Sequence, residues 1–316
     1  MRRLSLAFAL SLAPLVACTV GSEQVGDDDV TPTPGELSGT ITADRALSGT
    51  VTLTADATIA AGATVTIAAG THFEAKAGTT LRVAGTLLVD GTAAAPVTIT
   101  PTADAPTWAG IVVDSGGAAT LTHAEGSHVA TLLYCHAGAT ACVLDHATFT
   151  DMNNALIAEA DALIDHSHLS KVGNGGVSIS GGDVTIRDSY LLTSSGDVII
   201  QNGGALTIEY SEVGEAMGSY EHCDLHINGA TALRINHSNI RAGVYGMMIG
   251  GTTGAVIQYN NFVENEPNKD ISEVGVNTAV DLRFNYWGNG VPTGLGAVYD
   301  LSSPAAARIA DAGPRP

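Results

Sequence analysis

Residues 183–213 read DVTIRDSYLLTSSGDVIIQNGGALTIEYSEV, and one short pattern occurs in them twice, opening at Ile186 and again at Ile208. The pattern is Leu or Ile, any residue, an aromatic or polar residue, a small or amide residue, any residue, and an apolar residue. Repetition at this spacing, with strand-sized apolar runs separated by Gly, Asn and Ser, is typical of a solenoid. In both directions along the chain the same pattern recurs, and it opens at Leu121, Leu144, Ile164, Ile186, Ile208, Ile235, Ile257 and Leu282.

The repeat predicts an all-β, single-stranded solenoid of parallel strands with about 22 residues per turn. Residues 184–186 and 206–208 alternate apolar and polar side chains with period two, as strands with one buried face do. Leucine-rich repeats would need a Leu-x-x-Leu-x-Leu frame, and a propeller would need periods of about 40 residues. The alternative fold is a β-sandwich, which has similar short strands and glycine turns but does not predict aligned repeat positions.

Two positions of the repeat predict contacts between successive turns. The third position carries mostly rings, which we expect to stack along the solenoid axis: His123, His146, His166, Asp188, Tyr210, His237, Tyr259 and Phe284. The fourth position carries small, hydroxyl and amide side chains, which we expect to hydrogen-bond to one another and to backbone groups at a corner: Ala124, Ala147, Ser167, Ser189, Ser211, Ser238, Asn260 and Asn285.

The N-terminal residues carry export and anchoring signals. Arg2, Arg3 and the apolar run at 4–16 are typical of a signal peptide over residues 1–17. Leu15-Val16-Ala17-Cys18 resembles a bacterial lipobox, which implies cleavage before Cys18 and lipidation of that cysteine; an ordinary export signal cut nearby is the alternative. Residues 18–36 are acidic and rich in Thr and Pro, which predicts a disordered tether. Because Thr19 rather than Asp follows the cysteine, we expect an exported protein, lipid-anchored at the outer membrane or cell surface.

A family resemblance covers nearly the whole mature chain. The segments that show this resemblance are 63–71 (ATVTIAAGT), 81–87 (LRVAGTL), 95–100 (APVTIT), 108–111 (WAGI) and 285–288 (NYWG). They resemble secreted right-handed parallel β-helix repeat proteins of the pectate-lyase-like superfamily, here in a bacterial lipoprotein form. The resemblance implies a right-handed parallel β-helix over residues 37–302, with residues 303–316 as a C-terminal tail or cap. It implies little about activity, since these proteins include lyases, hydrolases and adhesins.

The composition excludes several classes of partner. The chain has 13 Lys and Arg residues against 32 Asp and Glu residues, a formal net charge of −19. Such a surface repels nucleic acid and anionic lipid, and suits neutral or cationic ligands or divalent cations. No mature segment has the roughly 18 consecutive apolar residues of a membrane span. We therefore expect membrane contact through the lipid anchor only, and a polysaccharide or a protein as the ligand.

Three cysteines remain besides Cys18. Cys135 and Cys142 flank a predicted corner, where an oxidising exterior would let them form a disulfide; two reduced core thiols are the alternative. Cys223 lies several turns beyond Cys142 along the predicted stack. Since turns are about 4.8 Å apart, that separation is too long for a disulfide. We therefore predict that Cys223 is a lone buried thiol.

The second repeat position supplies the candidate catalytic residues. It alternates with the buried opening position, so we expect it to face outward with Asp145, Asp165, Arg187 and Glu209 on successive turns. Paired carboxylates beside an arginine are what sugar-cleaving enzymes use for acid–base steps or for holding Ca²⁺. The alternative is an exposed ladder in which Arg187 bridges Asp165 and Glu209. The sequence lacks the Asn-Thr-Asp, Gly-His-Gly and Arg-x-Pro-x-x-Arg motifs of polygalacturonase-like and pectate-lyase-like sites, which favours the ladder.

Two further segments are candidate cation sites. The spacing between Ile208 and Ile235 is the longest in the series and indicates an insertion, near which His222, Asp224 and His226 are candidate ligands for a transition metal. The alternative is that these three residues form the solvent-facing side of a strand. The loop at 264–270 carries oxygen ligands and is the candidate Ca²⁺ site, although it lacks the Asp-x-Asp-x-Asp-Gly frame. No other cofactor is predicted.

These observations favour a surface-tethered β-helix lipoprotein without catalysis, which binds glycans or a protein along its side or serves as an envelope scaffold. The alternative function is a polysaccharide lyase or glycoside hydrolase acting on acidic polysaccharide. In that case Asp145, Asp165, Arg187 and Glu209 would be the acid, the base or cation ligands. The two functions differ structurally, because catalysis needs an open groove lined by carboxylates along the side from Asp145 to Glu209.

Overall fold

The described part of the chain is a β-solenoid. The computed structural model describes residues 33–103, 106–173, 175–216 and 222–316, which form thirty strands of one sheet. About 12 turns of about 22 residues each stack on one another, and the paired strands run parallel. These residues contain no helix. They therefore form no helix that is long and hydrophobic enough to cross a membrane. The predicted all-β parallel β-helix is confirmed. The predicted signal peptide, Cys18 and residues 18–32 of the predicted tether lie outside the described residues. Residues 33–36, which the sequence assigned to the tether, belong instead to the first strand, because Thr33–Ile41 pairs with the strand that follows it.

A typical turn contains three strands, which gives the solenoid three faces, A, B and C. Four long strands bend around corners and contribute to more than one face: β1 (Thr33–Ile41), β2 (Arg45–Ile59), β10 (Ala124–Cys135) and β12 (Thr148–Ala158). Face A also contains β3 (Thr64–Ala68), β6 (Thr86–Asp90), β9 (Ala118–Thr122), β11 (Ala141–Asp145), β13 (Ala162–Asp165), β16 (Asp183–Arg187), β19 (Ala205–Glu209), β22 (Ala232–Asn236), β25 (Val256–Gln258), β28 (Val280–Asp281) and β30 (Tyr299–Asp300).

Faces B and C are built in the same way. Face B contains β4 (His72–Ala75), β7 (Val97–Pro101), β14 (His168–Val172), β17 (Tyr190–Ser194), β20 (Glu212–Ala216), β23 (Asn239–Arg241), β26 (Asn261–Val263) and β29 (Tyr286–Trp287). Face C contains β5 (Thr80–Val83), β8 (Trp108–Val113), β15 (Val177–Ile179), β18 (Ile199–Gln201), β21 (Cys223–Asn228), β24 (Tyr245–Gly250) and β27 (Ile271–Glu273). The first corner joins face A to face B, and the second corner joins face B to face C.

The register between turns brings equivalent repeat positions together. Ile164 pairs with Ile186, and Ile186 pairs with Ile208. The opening residues of all eight repeats are fully buried in one continuous apolar core. A β-sandwich would not give this register, because its neighbouring strands run mostly antiparallel. The alignment of repeat positions that the sequence predicted is therefore confirmed.

At the first corner, the third repeat position adopts the left-handed backbone conformation in each of the repeats. Its φ angles lie between 44° at His166 and 63° at Phe284. This conformation costs about 1–2 kcal/mol for a residue with a side chain. Neighbouring rings in this column have centroids 4.6–5.3 Å apart, so the predicted stack is confirmed. Asp188 interrupts the stack between His166 and Tyr210.

The fourth repeat position forms a hydrogen-bonded ladder beside these rings. The backbone N–H of Ser167 donates to Oγ of Ser189 in the next turn at 3.0 Å. The same Oγ donates to the carbonyl of Arg187 at 2.7 Å, so it serves two corners at once. In the last repeats Asn replaces Ser, and Oδ1 of Asn260 accepts the N–H of Ser238 at 2.9 Å. The predicted ladder is confirmed, and it satisfies backbone groups that burial would otherwise leave without partners.

The C-terminal strap, which we define as residues 303–316, runs back along the first corner. It starts beside the last repeat and passes successive turns in reverse order. The contacts along it are Phe284 N–H to Ser303 O (3.1 Å), Ala305 N–H to Asn285 O (2.9 Å), Ile309 N–H to Asn261 Oδ1 (2.8 Å), Gly313 N–H to His237 O (2.8 Å) and Arg315 Nε to Asp188 Oδ1 (2.7 Å).

The cysteines occupy two places in the core. Cys135 and Cys142 form a disulfide with their Cα atoms 6.4 Å apart, across the corner between β10 and β11. Cys223 is a free, fully buried thiol. Burial raises the pKa of this thiol far above its usual value, and the carboxylate of Asp197 raises it further.

We expect Asn260→Ala to lower the free energy of unfolding by about 2–4 kcal/mol, because it leaves the buried N–H of Ser238 and C=O of Ile235 without their partners. Asn260→Ser should recover part of this loss, since Ser fills the same position in earlier turns. Chemical denaturation measures both effects. Asn202→Ala, at an exposed position, is the control, and the ladder has no energetic role if Asn260→Ala loses no more stability than this control.

Candidate functional site

The predicted catalytic column lies at the end of face A. Asp145 pairs with Asp165, Asp165 with Arg187, and Arg187 with Glu209, so the four residues stand on four successive turns. The structure thus brings together the residues that the sequence placed together. Asp165 is nevertheless almost buried, whereas the sequence predicted an outward position. The reason is its place at the first corner, where the side chains of Arg187 and His166 contact it.

The charged groups of this column are engaged with one another. Nη2 of Arg187 lies 2.6 Å from Oδ2 of Asp165, and Nδ1 of His166 lies 2.9 Å from Oδ1 of the same residue. Arg187 therefore holds the pKa of the Asp165 carboxyl below its usual value, which leaves it without a proton to donate at neutral pH. Glu209 accepts from Asn236 at 3.0 Å. Among the described residues, no ion pair joins Arg187 to Glu209, so the arginine pairs on one side only.

Imidazoles and carboxylates lie close together at the same corner. Asp145, His146 and His166 present ligand atoms within 4.8 Å of one another, as do Asp165, His166 and Asp188. Each of these histidines directs Nδ1 to the aspartate that precedes it, at 2.7 and 2.9 Å. Their rings also stack in parallel with centroids 4.8 Å apart. The two histidines are thus part of the ladder that continues through Tyr and Phe, which accounts for their position by packing.

The C-terminal strap occupies the gap that Asp188 leaves in the ring stack. Arg315 binds both carboxylate oxygens of Asp188 at 2.7 Å, and its guanidinium lies 3.7 Å from the ring centroid of Tyr210. The hydrogen bonds from Arg315 hold the pKa of Asp188 below its usual value. A cation from the strap therefore replaces the missing ring. The hydrogen bonds to Asp188 in turn raise the pKa of Arg315. The strap thus runs along the side of the candidate catalytic column.

An open groove of about 510 Å³ lies at the second corner, on a different edge of the solenoid from the catalytic column. The buried side chains of Met152, Val129 and Val172 lie beneath it, and Lys171 lies 3.8 Å from Asp151 at its rim. The remaining lining is hydroxyl, amide or glycine. The full lining is Thr107, Val129, Asp151, Met152, Asn153, Lys171, Val172, Gly173, Thr193, Ser194 and Ser195.

Sequence reasoning missed this groove. Most of its residues come from the second-corner bends of β12, β14 and β17, where Asp151, Lys171 and Thr193 adopt the left-handed conformation with φ of 49–59°. These residues form a second corner column, but its members share no chemical type, so the repeat pattern does not mark them. The only available signal was their constant offset from the third repeat position, which is the same in all three turns.

The predicted metal ligands separate in the structure. His222 and His226 are half-buried, but Asp224 is fully buried, so the expected alternation with Cys223 and Leu225 is wrong at Asp224. The reason is the column that Asp224 occupies. In the five turns from β10 to β21, face C begins with two consecutive inward residues. Asp224 is the first of the two in its turn. The equivalent residues in earlier turns are Leu132, Ala155, Gly176 and Val198.

The carboxyl group of Asp224 faces the protein interior. Its Oδ1 accepts the N–H of Ala216 at 3.3 Å, while Oδ2 has no hydrogen-bond partner among the described residues. Burial raises the pKa of this carboxyl well above its usual value. Asp197, from the preceding turn, takes the expected place of Asp224 beside the histidines. Its carboxylate lies 3.5 Å from Nδ1 of His222 and 3.2 Å from Nδ1 of His226.

The candidate Ca²⁺ loop uses two of its polar side chains internally. Asn265 and Asp270 are buried, and Nδ2 of Asn265 donates to Oδ1 of Asp270 at 3.0 Å. Oδ1 of Asn265 accepts the N–H of Gly243 at 3.2 Å. Burial raises the pKa of Asp270. These contacts hold the loop against the preceding turn and direct both side chains away from solvent.

No family model, curated protein or solved structure matches this chain. The β-helix fold is consistent with a carbohydrate-related or scaffold role. Any assignment finer than that depends on the geometry of the groove and of the side-chain clusters.

We expect Arg315→Gln to raise the pKa of Asp188 and to destabilise the protein at pH 7. A folded-state pKa below the unfolded value stabilises the fold above about pH 4, and the contribution is lost as the pH falls through the folded-state pKa. The stability difference between wild type and variant should therefore be largest near neutral pH and should shrink in acid. Chemical denaturation across this pH range measures it, with Asp188 titrated by carboxyl NMR.

Arg308→Gln is the matched control for this experiment, since Arg308 is an exposed arginine of the same strap. Its stability should follow that of the wild type at every pH. Equal losses in the two variants, or a loss in Arg315→Gln that does not depend on pH, would mean that the pair with Asp188 does not hold the strap.

Proposed function

We propose that this protein is a non-enzymatic glycan-binding β-helix, exported and tethered to the outer membrane or cell surface through a lipid on Cys18. In this proposal the groove at the second corner holds the glycan. The rest of the solenoid is a rigid scaffold that carries the groove away from the bilayer. The acidic tether that precedes β1 provides the reach.

The groove is the observation that carries this proposal. Its volume of about 510 Å³ is within the range of about 300–1,000 Å³ that small-ligand sites occupy. Its lining combines exposed amide and hydroxyl groups at Asn153 and Ser195 with the largely buried apolar side chains of Met152 and Val172 beneath them. A sugar ring offers the same combination, with hydroxyl groups at its edge and C–H groups on its faces.

Charge favours a neutral glycan. Within the groove Lys171 and Asp151 offset one another, while the chain as a whole carries a net charge of −19. A polyanion would approach against that field, and a neutral oligosaccharide would not. The described residues that line the groove include no aromatic side chain, which favours weak binding, since a sugar has no ring there on which to stack.

The contacts of the catalytic column give the alternative function less support. A lyase or hydrolase acting on acidic polysaccharide would need a carboxylate free to exchange protons in an open cleft. Asp165 is instead nearly buried and bonded to Arg187 and His166, and the strap binds Asp188, the residue that follows Arg187. The groove is at the other corner. We therefore propose binding without cleavage.

Calorimetric titration of the mature chain with neutral oligosaccharides, namely cello-, xylo-, manno- and chito-oligomers, tests the proposal. At least one series should bind, and Ser195→Trp should weaken binding at least about tenfold by filling the groove. Lys171→Gln should weaken it as well. Lys76→Gln is the matched control, because Lys76 is an exposed lysine that follows a face B strand outside the groove.

The same samples also test for cleavage. Products released from oligogalacturonate, and lost in Asp165→Asn but not in Ser195→Trp, would replace this proposal with the enzymatic alternative. Oligosaccharide binding that Ser195→Trp leaves unchanged would place the glycan site outside the groove and contradict the proposal as stated.

A further inference from the structure

A mixed set of metal-binding side chains meets at the start of face C. Asp197 precedes β18, and His222, Cys223 and His226 lie at or near the start of β21. Ile199 of β18 pairs with Leu225 of β21, so two positions earlier Asp197 stands opposite Cys223. The stacking of two turns thus brings one carboxylate, one thiol and two imidazoles to one place. No single turn contains the whole set.

The distances fit one shared ion. Zinc binds nitrogen and oxygen at about 2.0–2.2 Å, so two such atoms in a tetrahedral site lie about 3.4 Å apart. Nδ1 of His226 lies 3.2 Å from Oδ2 of Asp197, and the ligand atoms of Asp197, Cys223 and His226 all lie within 4.8 Å of one another. Nδ1 of His222 lies 3.5 Å from Oδ1 of Asp197, the oxygen that accepts the N–H of Cys223. Three donors therefore already meet at one place, and a rotation of the His222 side chain toward Oδ2 would supply the fourth.

Burial divides the set into a closed side and an open side. The thiol of Cys223 is fully buried, and the side chain of Asp197 is 11% exposed. The imidazoles of His222 and His226 are 25% and 37% exposed. An ion can therefore enter past the two imidazoles and reach the carboxylate and sulfur beneath them. Asp197 is held in place by the backbone N–H of Cys223, which donates to Oδ1 at 2.7 Å.

The donor types select the class of ion. A thiolate, two imidazoles and a carboxylate are the ligands that zinc and similar divalent transition metals prefer. Calcium and magnesium require mostly oxygen ligands, which this set does not offer. We propose that Asp197, His222, Cys223 and His226 bind a zinc-class divalent transition metal ion in a four-coordinate site.

Binding requires one proton to leave. The Cys223 sulfur forms a bond to the ion as a thiolate, and its proton is released to solvent, while both imidazoles coordinate as neutral rings. No electron is transferred. The remaining carboxylate oxygen of Asp197 stays bonded to the N–H of Cys223, which orients the ligand as outer-shell partners do in protein metal sites.

The site adjoins the groove but is independent of its proposed ligand. Oγ of Ser194, a groove residue, donates to the carbonyl of Asp197 at 3.1 Å. Among the described residues, none belongs both to the groove lining and to the proposed ligand set, so glycan binding and metal binding can fail separately. Separate titrations of one preparation distinguish the two failures.

The test uses the full mature chain after treatment with a chelator, titrated with Zn²⁺ in a calorimeter and with Co²⁺ in a spectrophotometer. One equivalent of Zn²⁺ should bind, and Co²⁺ should produce a thiolate-to-metal charge-transfer band. Cys223→Ser should abolish the band, and Cys18→Ser should leave it unchanged. His226→Gln and Asp197→Asn should each weaken Zn²⁺ binding at least about a hundredfold.

Two controls separate this site from the other histidine clusters. His146→Gln alters the cluster of Asp145, His146 and His166, and should leave Zn²⁺ binding and the cobalt band unchanged. Circular dichroism of every variant confirms that the β-structure is retained, and His226, being partly exposed, is the substitution least expected to disturb folding. Zn²⁺ binding that survives both Cys223→Ser and His226→Gln, or that is lost in His146→Gln, would overturn the proposal, as would failure of the wild type to bind Zn²⁺.

Discussion

The structure depends on how backbone amides are satisfied at the first corner. Each turn bends there through a left-handed residue, and from the His146 turn onward the N–H that follows the bend is bonded to a side chain. A Ser or Asn side chain of the next turn accepts it, as in the bond from Ser167 to Ser189. Because the acceptor belongs to the next turn, no turn can form this corner alone. Stability is therefore a property of neighbouring turns, as in other solenoids.

This dependence explains where chemistry can occur on the molecule. The repeat positions that form the core and the corner hydrogen bonds are occupied by residues that every turn needs for its structure. In the same region, the carboxylates of Asp165 and Asp188 form ion pairs with arginines. Variation is tolerated at the second corner, where insertions enter and the lining residues differ from turn to turn. The groove and the proposed metal site both lie there or next to it.

The repeat pattern was sufficient to predict the parallel fold, the buried column of Ile and Leu, the stacked rings and the Ser and Asn ladder. All four are consequences of one period, which a single sequence displays. The pattern did not predict the burial of Asp224. This residue occupies an inward corner position that Leu132 and Val198 fill in other turns, and the alternation of apolar and polar residues does not identify that position. The pattern also missed Asp197. This residue stands opposite Cys223, and the insertion makes the sequence separation between such paired residues longer here than in the turn before. The groove was missed because its residues share a backbone conformation and no side-chain type.

The C-terminal strap changes how such a stack can come apart. A solenoid of nearest-neighbour turns normally frays from its ends, one unit at a time. Here the final residues fold back past Phe284, Asn261, His237 and Tyr210 to reach Asp188. The terminal turn is thereby clasped to the middle of the stack, so peeling the last turns away requires a contact far from the end to break as well. The turns that the strap spans should therefore unfold together rather than one at a time.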